Sequence, residues 1–442
     1  MKKLTFIITL ILFQVLLLGP VVGCTTDTET DTPIQTPTEP QTVAFPDANL
    51  DAAIREALGK SVGEEFTIKE LFSLTTLSVC SGEGITNLAC LDYCTNLTEL
   101  NVSNNQISDV SHLSSLTNLT SLGLSRNQIS DISPLSSLIN LTELNISENQ
   151  ISDISPLSSL TNLTSLGLSR NQISEISPLS SLTNLSVLRM VRNTISDISP
   201  LSSLTNLSIL KLMGNQVSDI TAISSLTSLT SLSLSGNQIS DITPLSSLTS
   251  LTSLGLSGNQ ISDISPLSSL TNLYNLDFSG AHISDIRPLA SLVNLGGLGL
   301  GDNQISDISP LSSLINLTVL DLNSNMVSDI SSLASLSNLT DLFLGDNQIS
   351  DISSLASLTN LSWLFIDSNR ISDISCLSSL TNLNQVGLSG NQISDISLLV
   401  ENSGLGIGDW LCLENNKLDL TEGSKDIEYI KTLEDRGVMI EY

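Results

Sequence analysis

From residue 97 to residue 404 the apolar residues fall on a fixed ruler of 22 positions, LxxLxLxxNxIxDIxxLxxLxx. A leucine opens the unit at 97, 119, 141, 163, 185, 207, 229, 251, 273, 295, 317, 339, 361 and 383, with no insertion anywhere. Residues 119–140 and 163–184 differ at only two of their twenty-two positions. Within each unit the LxLxx segment alternates, which predicts a short strand with its leucines on one face. One unit cannot bury its own leucines, so the units must stack and supply a core to each other. Leu122, Leu124, Ile129, Ile132, Leu135 and Leu138 form the inward set of one such coil. Strands about 4.8 Å apart, one per coil, predict a parallel sheet on the order of 60 Å long.

The polar positions of the ruler fit the same picture. An Asn follows the strand at 105, 127, 149, 171, 193, 215, 237, 259, 303, 325, 347, 369 and 391. An amide both donates and accepts, so stacked Asn side chains can satisfy the backbone where the chain leaves the sheet. Ser-Pro pairs such as Ser133-Pro134 predict a cap and first position of a short helical turn on the far side. The recurrent acid (Asp109, Asp131, Asp153 and Asp197, with Glu175 once) reads as a cap for backbone donors on that turn, with a cation ladder as the rival reading. Coil nine departs from the ruler: Ala281 stands in the Asn position, followed by His282 and Arg287. A missing rung predicts a looser or differently curved sheet there.

In wording and in length the unit resembles the leucine-rich repeat of the bacterial internalin-like class, over residues 74 to about 404. The resemblance implies a curved right-handed horseshoe solenoid. Its parallel β-sheet would line the concave face, short 3-10 or irregular turns the convex face, and helical caps both ends. It also implies protein ligands held on the concave face. On this reading residues 97–404 are fourteen repeats, 46–96 an N-terminal helical cap with an irregular first repeat, and 405–442 a C-terminal cap. The spacing of Leu50, Ile54 and Leu58 behind Asp47 predicts the first cap helix. WLCLENNKLDL at 410–420 reads as a degenerate coil, and SKDIEYIKTLEDRG at 424–437 as a helix stopping at Gly437. Both caps are expected to be structural only. Well-known internalins add an immunoglobulin-like module and a C-terminal wall anchor, which this sequence does not show after its repeats, so host-cell invasion is not implied.

The start of the chain changes the expected compartment. Met1-Lys2-Lys3, an apolar stretch and Val21–Cys24 (VVGC) resemble a bacterial lipoprotein signal. That implies removal of residues 1–23 and lipidation of Cys24, giving a protein anchored to a membrane and exposed outside the cytoplasm. An ordinary cleaved signal peptide and an uncleaved anchor are the rival readings. Residues 24–45, rich in Thr, Pro and acids, then read as a flexible tether.

Composition narrows the partners. A net charge of −29 repels phosphate backbones, which argues against nucleic acid and against docking on an anionic membrane face. Only 3% of residues are aromatic, so the core must be Leu and Ile. Function is then expected where the repeats disagree. Most outward strand positions hold Ser, Gly, Thr or Asn, with two exceptions. The first is an apolar and basic patch of Val187, Arg189, Val191, Arg192, Ile209, Lys211 and Met213, suited to an acidic or carboxylate-bearing partner. The second gathers four of the five aromatics between 97 and 404: Tyr274, Phe343, Trp363 and Phe365. Asp277, Asp321, Asp341 and Asp367 accompany them, with Asp302 and Asp346 nearby. Aromatics ringed by carboxylates fit an interface hot spot for a basic protein, or a stacking platform for sugars.

Other chemistry finds little support. His112 and His282 are 170 residues apart and belong to no metal-spaced cluster, so neither metal nor cofactor is expected. Cys80, Cys90, Cys94, Cys376 and Cys412 are odd in number, and Cys80 with Cys90 or Cys94 would staple the N-terminal cap. Serines and aspartates are periodic, and no unique nucleophile stands near a base, so no enzyme is expected. The sequence therefore reads as a lipid-anchored surface protein that binds a protein or glycan on its concave face. The alternative is a structural envelope or spacer protein without a specific soluble ligand.

Overall fold

The computed structural model describes residues 41–442 except 80, 81 and 83, so the expected leader, Cys24, most of the tether and Cys80 lie outside the described residues. The 22-residue ruler becomes a solenoid. Seventeen short strands pair in parallel, from Thr76–Ser78 at one end to Met439–Glu441 at the other. Each is three residues long, and each pairs with the strand one coil on, at the same position of the repeat, as Arg189 with Lys211. Leu122, Leu124, Ile129, Ile132, Leu135 and Leu138 are all buried, as are their equivalents along the array. Opposite the sheet the first thirteen repeats each turn through a 3-10 segment, such as Ser133–Ser137, and the fourteenth through a short α-helix.

Each Asn side chain ties its coil to the preceding one. Asn127 Nδ2 donates to the carbonyls of Leu124, in its own coil, and Val102, in the preceding one, at 3.0 and 3.1 Å. Its Oδ1 accepts from the Ile107 N–H at 3.0 Å. The geometry repeats along the array, and an unforeseen rung, Asn416, extends it into the C-terminal cap. At coil nine Ala281 is buried and no carboxamide replaces the bond to the Ile261 N–H, yet strands Ser253–Gly255, Asn275–Asp277 and Gly297–Gly299 keep their register. The defect is one rung, not a break in the sheet.

The outer turn differs in detail from the sequence expectation. Ser133 is not the cap; it is the first 3-10 residue, and Asp131 Oδ1 accepts its N–H at 2.8 Å. The same bond recurs at Asp153 and Asp197. These bonds hold the Asp131 and Asp197 carboxyls below the usual range.

At the N-terminal end, helix α1 (Ala48–Leu58) is capped by Asp47 and ends at Gly59, whose φ is 66°. Asp47 Oδ2 also accepts from the N–H groups of Thr86 and Asn87, which ties the helix to the first coil. A capping box of Thr67 and Glu70 opens α2 (Ile68–Phe72). At the other end lie α3 (Ser397–Glu401), the strand Trp410–Cys412, α4 (Lys425–Asp435) and the strand Met439–Glu441. Among the described residues no helix is long and apolar enough to cross a membrane. Cys90, Cys94, Cys376 and Cys412 are thiols, and burial pushes Cys94 and Cys376 up to about 12.

Candidate functional site

Side chains at the first and third residue of every strand stand on the open face of the sheet, because the middle leucine points into the core. This face is grooved. Two shallow grooves of about 630 and 480 Å³ run along it, the first ending at Arg189 and the second starting at Lys211.

The first patch assembles around that junction. Arg189 and Lys211 occupy the same outward position on adjacent strands. Val187 and Ile209, also in register, lie beside them and are half-buried. Lys211 Nζ donates to Ser231 Oγ at 2.8 Å, and burial followed by the Arg189 charge lowers its pKa. Among the described residues no carboxylate forms an ion pair with Arg189, Lys211 or Arg192. Val191 and Met213 follow the strands rather than sitting on them, and Met213 is exposed.

Arg192 lies further out, on the turn past the strand. Its φ is 54°, the left-handed region that glycine fills at Gly214, Gly236, Gly258 and Gly280 in the next coils. A non-glycine residue there costs roughly 1–2 kcal/mol. Arg170, which the sequence reading passed over, holds the same turn one coil earlier at φ 55° and also lacks an ion pair. These four residues are the only Lys or Arg between 127 and 286. Their spacing of 22 residues between 170 and 192 is the signal that would have found the fourth.

The second patch divides into three. Tyr274 precedes its strand and sits on the sheet's rim, 52% exposed, with its ring packed over Gly296. Three inter-strand spacings, roughly 14 Å, separate it from Phe343. Asp277 and Asp321 form a second group, on either side of Gly299. Burial, with smaller contributions from Asp277 and Asp302, raises the Asp321 carboxyl above its usual range, against the bond from the Asn323 N–H.

The third group is aromatic. Phe343 and Phe365 are in register and their rings stack at 5.5 Å with planes 10° apart. Trp410, assigned to a purely structural cap on sequence grounds, joins them at 6.0 Å from Phe365. Its Nε1 donates to Glu441 Oε1 at 3.1 Å. Trp363 stands two residues from Phe365 on the same face of one strand, 45% exposed. Asp341 lies beside Trp363 in register, whereas Asp367 Oδ1 accepts from the Ser389 N–H and hydroxyl and so braces the next coil. Trp410 escaped the sequence reading because the coil before it is irregular, which takes it off the 22-residue ruler. Among the described residues no group of His, Cys, Asp and Glu is placed to hold a metal ion.

Comparison with known proteins agrees with this architecture. The family model described as "Leucine Rich repeats (2 copies)" matches successive segments from 95–137 to 249–291, and again at 293–335 and 315–357. No curated protein matches the chain. Among solved structures, an internalin (InlF) of Listeria monocytogenes is 43% identical, covering 78% of this chain and 96% of its own, with a TM-score of 0.66. A leucine-rich-repeat protein of Leptospira interrogans is 24% identical over 85% of this chain and 97% of its own, with a TM-score of 0.77. The functional domain of the Listeria monocytogenes protein InlJ, described as including a cysteine ladder, is 22% identical over 85% and 82%, with a TM-score of 0.67. At under 25% identity the last two speak for the fold alone. With its repeats matched over more than half the chain, the protein belongs to the leucine-rich-repeat family, as an internalin-like bacterial member.

Proposed function

We propose that the protein is a non-catalytic, lipid-anchored surface receptor that holds a protein partner on the concave, strand-lined face, through residues of both patches. The observation that carries this reading is the content of the outward positions. Most outward positions hold small side chains, with Glu99, Glu143, Asp277 and Asp321 as scattered charged exceptions. Large side chains stand together on adjacent strands in two places: Arg189 and Lys211 with their apolar neighbours, and Phe343, Trp363 and Phe365. Clustered aromatics and arginines are what interface hot spots are made of. A protein is favoured over a glycan because the Phe343, Phe365 and Trp410 rings pack against one another, which leaves Trp363 as the one unstacked ring of the four. The anchor at Cys24 belongs to this proposal and lies outside the described residues.

The test is binding to extracellular proteins by the wild type and by two double variants, Arg189→Glu/Lys211→Glu and Trp363→Ala/Phe365→Ala, matched for thermal stability. A partner bound by the wild type and lost from either variant supports the reading. Binding indifferent to both variants would leave the envelope-spacer function as the better account.

A further inference from the structure

One end of the open face carries a more specific arrangement. Asp341 and Trp363 occupy the same outward position on neighbouring strands. Trp363 takes part in none of the ring contacts around it and is 45% exposed, so part of its indole is open to solvent. The Thr340 hydroxyl donates to Asp341 Oδ2 at 2.7 Å, which orients the carboxylate and leaves Oδ1 without a donor among the described residues. Beside this pair the stacked Phe343 and Phe365 form an apolar ridge. No Lys or Arg occurs between 288 and 369, so Asp321 and Asp341 have no cation from the coils that carry them.

We propose that Asp341 and Trp363 receive an arginine side chain of the protein partner, a proposal that rests on the protein-binding reading above. A guanidinium is planar and carries a fork of donors, so it stacks on an indole while pairing with a carboxylate at its edge. The methylene stem then lies along the ridge of Phe343 and Phe365. Lysine matches the charge but neither the stacking nor the fork. A neutral ligand leaves Asp341 unanswered.

The chain's two tryptophans are Trp363 and Trp410, so labelling the indole nitrogens gives two side-chain signals in a nuclear magnetic resonance spectrum, both at this end of the face. The whole chain is titrated with a capped hexapeptide carrying two arginines, with its lysine, citrulline and glutamate counterparts, and with cellohexaose. The arginine peptide is expected to move the Trp363 signal saturably. The lysine peptide should bind more weakly, and the citrulline peptide should not bind. Asp341→Asn should weaken the arginine peptide about tenfold, which is about 1.4 kcal/mol, while the free protein keeps both signals in place. Equal responses to arginine and citrulline, or no loss in Asp341→Asn, overturn the proposal. So does a Trp363 shift with cellohexaose but not with the arginine peptide. A shift with the glutamate peptide alone overturns the arginine assignment while leaving protein binding on this face intact. Silence with every probe overturns it too, and the protein-binding reading then stands or falls on the Arg189 and Lys211 variants.

Discussion

Phe365 and Trp410 pack at 6.0 Å although a whole strand, Gln385–Gly387, runs between theirs. The contact exists because the intervening residue on the Phe365 row is Gly387. A Cβ there would come within 2.7 Å of Phe365 Cδ1 and 2.5 Å of Asp367 Oδ2. Glycine is needed here for the space that Phe365 occupies, and the ridge reaches the C-terminal cap through it.

Gly387→Ala should therefore push Phe365 off Trp410. Overpacking of this kind costs about 1–3 kcal/mol. The expected result is a lower unfolding midpoint together with a changed tryptophan emission, because both indoles lie at this end. Unchanged emission would mean that the ring contact is incidental.

The Asn ladder makes a paired prediction. Asn215 Oδ1 accepts from the Ile195 N–H, and Nδ2 donates to Met190 and Leu212 carbonyls. Removing it in Asn215→Ala strands buried backbone groups, at a cost of about 1–3 kcal/mol. The reverse change, Ala281→Asn, should supply the missing rung and stabilise coil nine. Hydrogen exchange at Ile261 should be faster than at Ile239, whose N–H is held by Asn259, and should slow in Ala281→Asn. Denaturant titration and exchange rates together check both directions.

The outer-turn carboxylates predict acid sensitivity with a definite sign. Backbone and hydroxyl donors hold Asp131, Asp153 and Asp197 below their unfolded values, and Asp285, bonded first by the Arg287 side chain, is brought down to about 2. A lowered folded pKa gives stability that is present above about pH 4 and is lost as pH falls through the folded value. Asp321 works oppositely, because its raised pKa favours the folded state as it takes up a proton. The outer-turn groups outnumber it, so the urea midpoint should fall between about pH 5 and pH 2. Replacing Asp131, Asp153 and Asp197 together by Asn, which accepts the same bond without titrating, should flatten that decline.

Arg192 separates stability from binding. Its left-handed backbone suits glycine, so Arg192→Gly should cost no stability, as the glycines of the next four coils indicate. If the basic patch holds an anionic segment of the partner, the same change weakens that binding and its salt dependence. Thermal melts and binding at two salt concentrations check this. A clear loss of stability would show that Arg192 serves the fold instead.

The solenoid was legible in the sequence because every coil repeats one local solution, so Leu122 or Asn127 could be placed from spacing alone. The site was legible only in part. Arg189 beside Lys211, and Phe343 beside Phe365, follow from equal positions in the repeat. Tyr274 went to the rim because it precedes its strand by one residue, and Arg192 and Arg170 to the turn because their positions follow theirs. Trp410 lay beyond the ruler, after a coil of irregular length, and its ring direction depends on the absent side chain at Gly387. Backbone sign at Arg192 was likewise hidden, since nothing in an Arg announces a positive φ.

The proposed receptor holds its partner on the strand-lined face rather than on the outer turns. Photo-crosslinking residues placed at 165 and 385 on that face, each beside one patch, and at 202 and 312 on the outer turns, test this in the intact chain. The expected result is a covalent adduct with a single protein species from 165 or 385 and none from 202 or 312. Adducts formed equally from the outer turns, or only from them, would contradict it.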